Sequence, residues 1–223
     1  ISPSSMIADS IAAMAGQEVT CCPEATQLAL FLREVKPHIV FGVPRVWEKL
    51  YAGIQAAVSG DPERAKKLQE AVAAALPIVD KLQAGTATDQ EKGIHQFLED
   101  VAFKNLRALV GLDEAVFAVT GAAPMSRDLQ NWFRAIGVPL SEVYGMSETT
   151  GLITWSPLHA KTGTVGAATP GIEVKLAEDG EVLCRGAGVF SGYFKDVEKT
   201  AEALDADGWL HTGDIGQLDS DGY

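Results

Sequence analysis

The sequence predicts an α/β fold: a parallel-type sheet with flanking helices, followed by a small antiparallel β-rich region of distorted-barrel type. Three observations carry this. Residues 114–144 alternate strand, helix and strand, which implies parallel strands joined by right-handed crossovers. Residues 60–110 read as a helical excursion on the surface. After Gly151 glycines and short β runs dominate.

The elements follow in order. Residues 5–15 place Met6, Ile7, Ile11 and Met14 at helical spacing. Residues 19–22 form a short strand candidate. A helix over 26–34 is capped by Thr26 and ended by Lys36-Pro37. Residues 38–43 are a continuous β-branched and aromatic run, which suits a buried strand. Residues 46–58 return to helix. Asp61 is a sound N-cap and Pro62 a sound first residue for a helix over 62–82, which Pro77 should break or kink. Residues 84–88 are a loop, and 89–109 are helical again. A strand over 115–120 ends in Gly121-Ala122-Ala123-Pro124. Ser126 caps the next helix, Gly137 stops it, and 140–144 is the next strand. Short strands then follow over 172–176, 181–185, 209–211 and 215–218, with a turn at Glu178-Asp179-Gly180 and one helix over 197–204. This division gives an α/β subdomain over 1–155 and a β-rich subdomain over 156–223.

Composition narrows the function classes. Of 223 residues, 47% are apolar and 22% charged, which argues for a packed core and against general disorder. No apolar run approaches the roughly 20 residues that span a bilayer, and no basic segment precedes an apolar one as in a cleavable signal. Eighteen Lys and Arg against 30 Asp and Glu give a net charge of -12, which disfavours general binding of nucleic acid. Cys21, Cys22 and Cys184 show no C-x-x-C spacing, so neither a disulfide framework nor a zinc site is expected, and the chain reads as reduced and cytoplasmic.

Three clusters carry chemistry. In Tyr144-Gly145-Met146-Ser147-Glu148-Thr149-Thr150-Gly151, a strand ends and Gly145 permits close backbone approach. The Ser and Thr hydroxyls that follow suit phosphate oxygens, and the Glu148 carboxylate beside phosphate suits Mg²⁺. In Gly208-Trp209-Leu210-His211-Thr212-Gly213-Asp214-Ile215-Gly216, an aspartate between glycines at a strand end can accept two hydrogen bonds from a vicinal diol such as a ribose. In Gly121-Ala122-Ala123-Pro124, small side chains would let a flat ring or an acyl chain lie against backbone. Each cluster alone is also readable as an ordinary polar loop or turn, and for the 208–216 cluster taken alone the hairpin turn is the better reading. The first and third fall at the carboxyl edge of the sheet, where ligands of such folds collect.

Other motifs fail. Lys161-Thr162-Gly163-Thr164 lacks an aspartate before it, and Gly186-Ala187-Gly188 meets its third glycine, Gly192, one residue late for a dinucleotide fingerprint. His38, His95, His159 and His211 lack metal-ligand spacing, and no G-x-S-x-G elbow exists. Arg45 and Trp47, like Trp132, Phe133 and Trp155, read first as packing residues.

Taken together and in order, the motifs resemble the middle of an AMP-forming acyl-CoA synthetase of the adenylate-forming superfamily, most like the long-chain fatty-acid–CoA ligases. Four blocks carry the resemblance: Phe41-Gly42-Val43-Pro44-Arg45-Val46-Trp47-Glu48-Lys49; residues 120–124; Tyr144-Gly145-Met146-Ser147-Glu148, similar to Y-G-x-[ST]-E; and residues 208–214, preceded by 186–193, similar to G-W-x-x-T-G-D.

The resemblance implies part of a larger N-terminal domain and a two-step reaction. A fatty acid is activated with ATP through an acyl-adenylate and then transferred to CoA. It implies that Tyr144 packs on adenine with Gly145 and Met146 beside it, and that Gly121, Ala122 and Ala123 line the adenine and acyl side. It implies further that Ser147 contacts phosphate, Glu148 holds Mg²⁺ and Asp214 binds the ribose hydroxyls. Catalysis would then rest on Ser147 and Glu148. The family's upstream Gly/Ser/Thr-rich phosphate loop, its later Arg and its C-terminal lysine domain have no counterpart in this stretch. The chain is therefore expected to be a central fragment, inactive alone. A long acyl substrate is compatible with peripheral membrane contact, although no basic amphipathic stretch supports it. Adenylation of a short-chain or aryl acid, an adenylation domain serving a carrier protein, and a non-catalytic nucleotide-binding scaffold are the alternatives. Oligomeric state is not readable from the sequence.

Overall fold

The computed structural model describes residues 26–157 and 160–223, together with 16, 18–20, 22 and 24. The expected helix over 5–15 and Cys21 lie outside the described residues, while Val19, Thr20 and Cys22 form no strand. The chain falls into two compact units. Among the described residues, a helical unit comprises those of Thr20–Ser141 and Pro157–Gly163, and a β-rich unit those of Glu142–Ser156 and Thr164–Tyr223. No helix among the described residues is long and apolar enough to cross a membrane.

The helical unit runs α1 (Leu28–Val35), β1 (Ile39–Gly42), α2 (Pro44–Val58), α3 (Pro62–Gln83), α4 (Asp89–Leu98), a π-helical segment (Glu99–Phe103), α5 (Lys104–Val110), β2 (Phe117–Thr120), α6 (Arg127–Ala135) and β3 (Leu140–Glu142). The order across its sheet is β1-β2-β3. β1 and β2 are parallel with Gly42 opposite Thr120, so their carboxyl ends share one edge. Val40 and Gly42 are buried while Ile39 and Phe41 are exposed. β1 is thus covered on one face only, where a continuously buried strand was expected.

Local chemistry explains most element ends. Asp61 accepts from the backbone N–H groups of Glu63 and Arg64, both at 3.1 Å, and Pro62 occupies the first helical position. Thr26 does not cap α1: its hydroxyl donates to Glu24 at 3.3 Å, Gln27 holds the cap position, and left-handed Lys36 ends the helix. Ser126 stands at the N-cap of α6 without a side-chain bond, and Gly137 follows the helix at φ +81°. Thr88 and Glu91 form a reciprocal capping box that starts α4. Lys81 and that cap together hold the Glu91 carboxyl down to about 2.

Pro77 does not break α3. An interior proline forfeits one backbone bond and crowds the preceding turn. Packing outweighs this, because α3 lies against both α4 and α6. Downstream of the proline, the buried Arg134 guanidinium donates to Asp80 at 3.0 Å and to Gln83 at 2.6 Å, and it also reaches Thr162 at 2.5 Å. The 60–110 helices also enter the core through Leu68, Ala75, Phe103, Leu106 and Val110. Trp47, Phe133 and Trp132 pack edge to face at 5.2 and 5.1 Å between ring centroids. The Trp47 indole N–H donates to the Gly42 carbonyl at 2.9 Å, tying α2 back to the end of β1. Trp47 is therefore a packing residue, as its sequence context suggests.

The β-rich unit holds a 3₁₀ turn (Ser147–Thr149), β4 (Ile172–Leu176), β5 (Glu181–Gly186), α7 (Val197–Ala203) and β6 (Leu210–Ile215). Its three strands form an antiparallel sheet in the order β4-β5-β6. The expected antiparallel region is present, but the sheet is open and no closed barrel forms among the described residues. The two strands expected over 209–211 and 215–218 are replaced by the single strand β6. Gly213 sits inside that strand at φ +74° instead of ending it. Ile153, Cys184 and Leu210 are the buried centre of the unit, with Tyr144 and Met146 packed on them. Burial pushes the Cys184 thiol up to about 11, so it is an inert core residue.

Gly111 ends α5 at φ +74°, and a Cβ there would lie 2.1 Å from the Leu32 carbonyl oxygen. Gly111→Ala combines left-handed strain with a backbone clash. It should cost about 2–4 kcal/mol, measured by urea unfolding against the parent chain; a loss under about 0.5 kcal/mol would contradict this packing.

Candidate functional site

The sequence-predicted residues Tyr144, Gly145, Met146, Ser147, Glu148 and Asp214 all fall in the β-rich unit. Gly121, Ala122 and Ala123 belong to the helical unit, at the carboxyl end of β2.

The 144–151 loop is built by backbone contact. Tyr144 bridges to Thr154, and the Gly151 N–H returns to the Met146 carbonyl at 3.1 Å. This return needs Gly145, since a Cβ there would lie 1.5 Å from the Gly151 carbonyl oxygen. The buried Thr149 hydroxyl closes the turn from within. It accepts from the Met146 N–H at 3.2 Å and donates to the Met146 carbonyl at 3.0 Å. Thr150 takes a left-handed conformation, and its hydroxyl donates to the Gly188 carbonyl at 2.9 Å. Both threonines are thus committed to architecture, contrary to a reading in which every hydroxyl of the motif faces phosphate. Ser147 is exposed and its hydroxyl makes no hydrogen bond among the described residues. It is the hydroxyl of the motif left for a ligand.

Asp214 is presented by a bulge in β6. The register between β5 and β6 shifts between Glu181 and Leu183, so that Val182 alone faces Thr212, Gly213 and Asp214, with left-handed Gly213 at the centre of the irregularity. Glu181 braces it, accepting from the Gly213 N–H at 2.8 Å and meeting His211 Nδ1 at 2.8 Å. The Thr212 hydroxyl donates to the Val182 carbonyl at 2.7 Å and accepts from the Asp214 N–H at 3.2 Å. The Asp214 side chain is exposed near the end of β6.

The two motifs meet directly. The Tyr144 hydroxyl donates to Asp214 Oδ2 at 2.6 Å, across 70 residues of chain. Burial, then this bond, holds the Tyr144 phenol above its ordinary range, so it stays protonated and donates. Glu148 is held in a parallel way. Its backbone carbonyl accepts from the Phe190 N–H at 2.7 Å, and its Oε1 accepts from the Tyr193 hydroxyl at 2.8 Å. Each carboxylate therefore keeps one oxygen on a tyrosine phenol, and the other is uncommitted among the described residues. Such a pair can receive hydroxyl donors at Asp214 and a cation at Glu148.

In the helical unit, Gly121 is buried and Ala122 and Ala123 are exposed. Ala122 has φ +67°, a conformation that costs an alanine roughly 1 kcal/mol. Backbone strain of this kind gathers at sites that hold ligands. Thr120, immediately before, is fully buried with a hydroxyl that finds no partner among the described residues.

Tyr193 and Glu181 were not among the site residues read from the sequence, and Thr149 was read there for a hydroxyl toward phosphate, not as the closer of the turn. No spacing links Tyr193 to a glutamate 45 residues upstream, or Glu181 to Gly213 32 residues downstream. Only the threonine three residues after Met146 carried a local signal, as an ordinary turn-closing hydroxyl.

Comparison with known proteins gives a consistent picture. The profile described as AMP-binding enzyme matches residues 5–194. A protein of Mycobacterium tuberculosis named as fatty-acid–CoA ligase fadD11 is 41% identical over 232 residues, covering 99% of this chain and 40% of that protein. The long-chain-fatty-acid–CoA ligase FadD15 of Mycobacterium bovis is 37% identical, covering 84% of this chain and 31% of its own length. The long-chain-fatty-acid–CoA ligase ACSBG2 of Xenopus laevis is 35% identical, covering 88% and 27%. The chain thus spans well under half of the curated relatives it matches. Among solved structures, the N-terminal domain of FACL13 from Mycobacterium tuberculosis aligns over 99% of this chain and 47% of its own, with a TM-score of 0.62 at 22% identity. A malonyl-CoA ligase ternary product complex aligns over 90% and 35%, with a TM-score of 0.56 at 24% identity. At these identities the structural likeness establishes the fold.

Gly145→Ala should destabilise the β-rich unit by roughly 2–3 kcal/mol, because the chain returning at Gly151 has nowhere to go. Urea unfolding followed by near-UV circular dichroism measures this; an unchanged midpoint would mean that the close approach is not required.

Proposed function

The chain belongs to the AMP-binding enzyme family, and from that premise we propose that the complete polypeptide activates a long-chain fatty acid with ATP and passes it to CoA. One observation supports this most strongly: the Tyr144 hydroxyl bonded to Asp214 joins the two motif clusters in one unit. The acid class follows the names of the 35–41% identical relatives.

The reaction has two steps. A carboxylate oxygen of the acid attacks the α-phosphorus of ATP, and the bond to the bridging oxygen breaks, releasing pyrophosphate. The CoA thiolate then attacks the acyl carbonyl and expels AMP, leaving a thioester. The residues of this chain would bind and orient the nucleotide. Asp214 would accept the ribose hydroxyls on the lone pairs that Tyr144 leaves, and orientation of this kind lowers the entropic part of the barrier. Tyr144, partly buried against Ile153, Cys184 and Leu210, would offer its remaining surface to adenine, with Gly145 and Met146 beside it. The Ser147 hydroxyl would donate to a phosphate oxygen on which charge builds.

Glu148 fits a Mg²⁺ ion carried with the nucleotide. That ion keeps several phosphate and water oxygens and needs only one or two carboxylates from protein, and Glu148 has one oxygen uncommitted. Bound there, Mg²⁺ would supply charge neutralisation on the phosphates.

The decisive assay is ATP–pyrophosphate exchange by the complete polypeptide. Exchange that depends on a long-chain acid such as palmitate is expected; exchange with short or aromatic acids only, or none, would overturn the assignment. Asp214→Ala should raise the KM for ATP by about 10- to 100-fold, the worth of a lost charged hydrogen-bond acceptor. Tyr144→Phe should raise it by roughly 3- to 10-fold and add little in the Asp214→Ala background, since both act on one contact.

A further inference from the structure

We propose that Tyr193 is a positioning residue for Glu148: its phenol ties down one carboxylate oxygen and so leaves the other aimed at the cation that accompanies the nucleotide. The inference rests on the nucleotide reading above and adds a residue to it. Four observations carry it.

First, the bond is direct, from the Tyr193 hydroxyl to Glu148 Oε1 at 2.8 Å, on a side chain that is part exposed. A part-exposed glutamate without a tether would sample several rotamers. Second, the same loop grips Glu148 from two sides, because the Phe190 N–H also donates to the Glu148 carbonyl at 2.7 Å. Third, the tyrosine is itself held. Its ring meets Phe190 edge to face at 4.9 Å, and its backbone N–H donates to the Thr200 hydroxyl at 2.9 Å. The Thr200 hydroxyl in turn donates to the Asp196 carbonyl at 2.7 Å, and Asp196 caps α7 through the Lys199 N–H at 3.0 Å. Fourth, the loop packs closely on α7 at Gly192, where an added Cβ would lie 2.7 Å from the Thr200 methyl.

The chain of contacts thus runs from the start of α7, through Thr200, to Tyr193 and on to Glu148. Partners that orient a metal ligand without touching the metal are commonly worth 10- to 100-fold in affinity. A single tether to a part-exposed carboxylate belongs at the lower end, so a change of roughly tenfold is expected on removing the phenol.

The test is isothermal titration of the complete polypeptide with ATP in the presence of Mg²⁺, and separately with AMP in EDTA. Wild type, Tyr193→Phe, Glu148→Gln and the double variant are compared. Tyr193→Phe keeps the ring on Phe190 and should weaken Mg²⁺-ATP binding roughly tenfold while leaving metal-free AMP within twofold. In the Glu148→Gln background it should have no further effect on Mg²⁺-ATP. Electron paramagnetic resonance of Mn²⁺ in place of Mg²⁺ should show a matching loss of bound metal. Three results would overturn the proposal: unchanged Mg²⁺-ATP affinity, an equal loss for AMP, which marks a merely structural role, or a full effect on top of Glu148→Gln. If the wild type binds neither nucleotide, the nucleotide reading itself falls, and this proposal with it. Normal wild-type binding with an inert Tyr193→Phe removes the proposal alone.

Discussion

A single hydrogen bond, from the Tyr144 phenol to the Asp214 carboxylate, makes one site out of two motifs that lie 70 residues apart in the chain. Much in the β-rich unit serves that contact. Gly145 lets the chain double back against Gly151, beside the bridge that joins Tyr144 to Thr154. The irregularity around Gly213, braced by Glu181, leaves Asp214 exposed on β6. Ile153, Cys184 and Leu210 pack Tyr144 and Met146, so Tyr144 rests on a small core to which the strand carrying Asp214 contributes Leu210. Closing so long a loop costs entropy that one exposed bond cannot offset; the shared core bears that cost.

The polar side chains of the motif divide into two groups. Thr149 and Thr150 spend their hydroxyls on Met146 and Gly188 and so hold the loop. Ser147, Glu148 and Asp214 keep donor or acceptor capacity facing outward. Both carboxylates are tethered by tyrosines at one oxygen. Tethering before a ligand arrives lowers the ordering cost of binding, and that is the physical content of preorganisation here.

The fold was legible where a local cause sits in adjacent residues. The Asp61-Pro62 start of α3, the Gly137 stop after α6, the strands around Val40 and Ala118 and the Glu178–Gly180 turn all follow from such signals. Legibility failed where packing decides. Pro77 stays helical because Arg134 and the neighbouring helices hold the far end of α3. The π-helical segment at Glu99–Phe103 has no sequence mark, although Arg107 bonds Glu99 across it. Gly213 reads as a turn because Gly and Asp dominate turns, and only the register with Glu181 shows it as a bulge. The site followed the same rule. The residues adjacent in the 144–148 motif were readable, whereas Tyr193 and Glu181 act on partners whose nearness exists only after folding.

The central claim is that Asp214 and the 144–148 loop grip one nucleotide. A crystal structure of the complete polypeptide with AMP tests it most directly. The account requires the ribose hydroxyls within hydrogen-bonding distance of the Asp214 carboxylate, and the phosphate beside the Ser147 hydroxyl. A nucleotide bound with its ribose away from Asp214 and its phosphate away from Ser147 would contradict it.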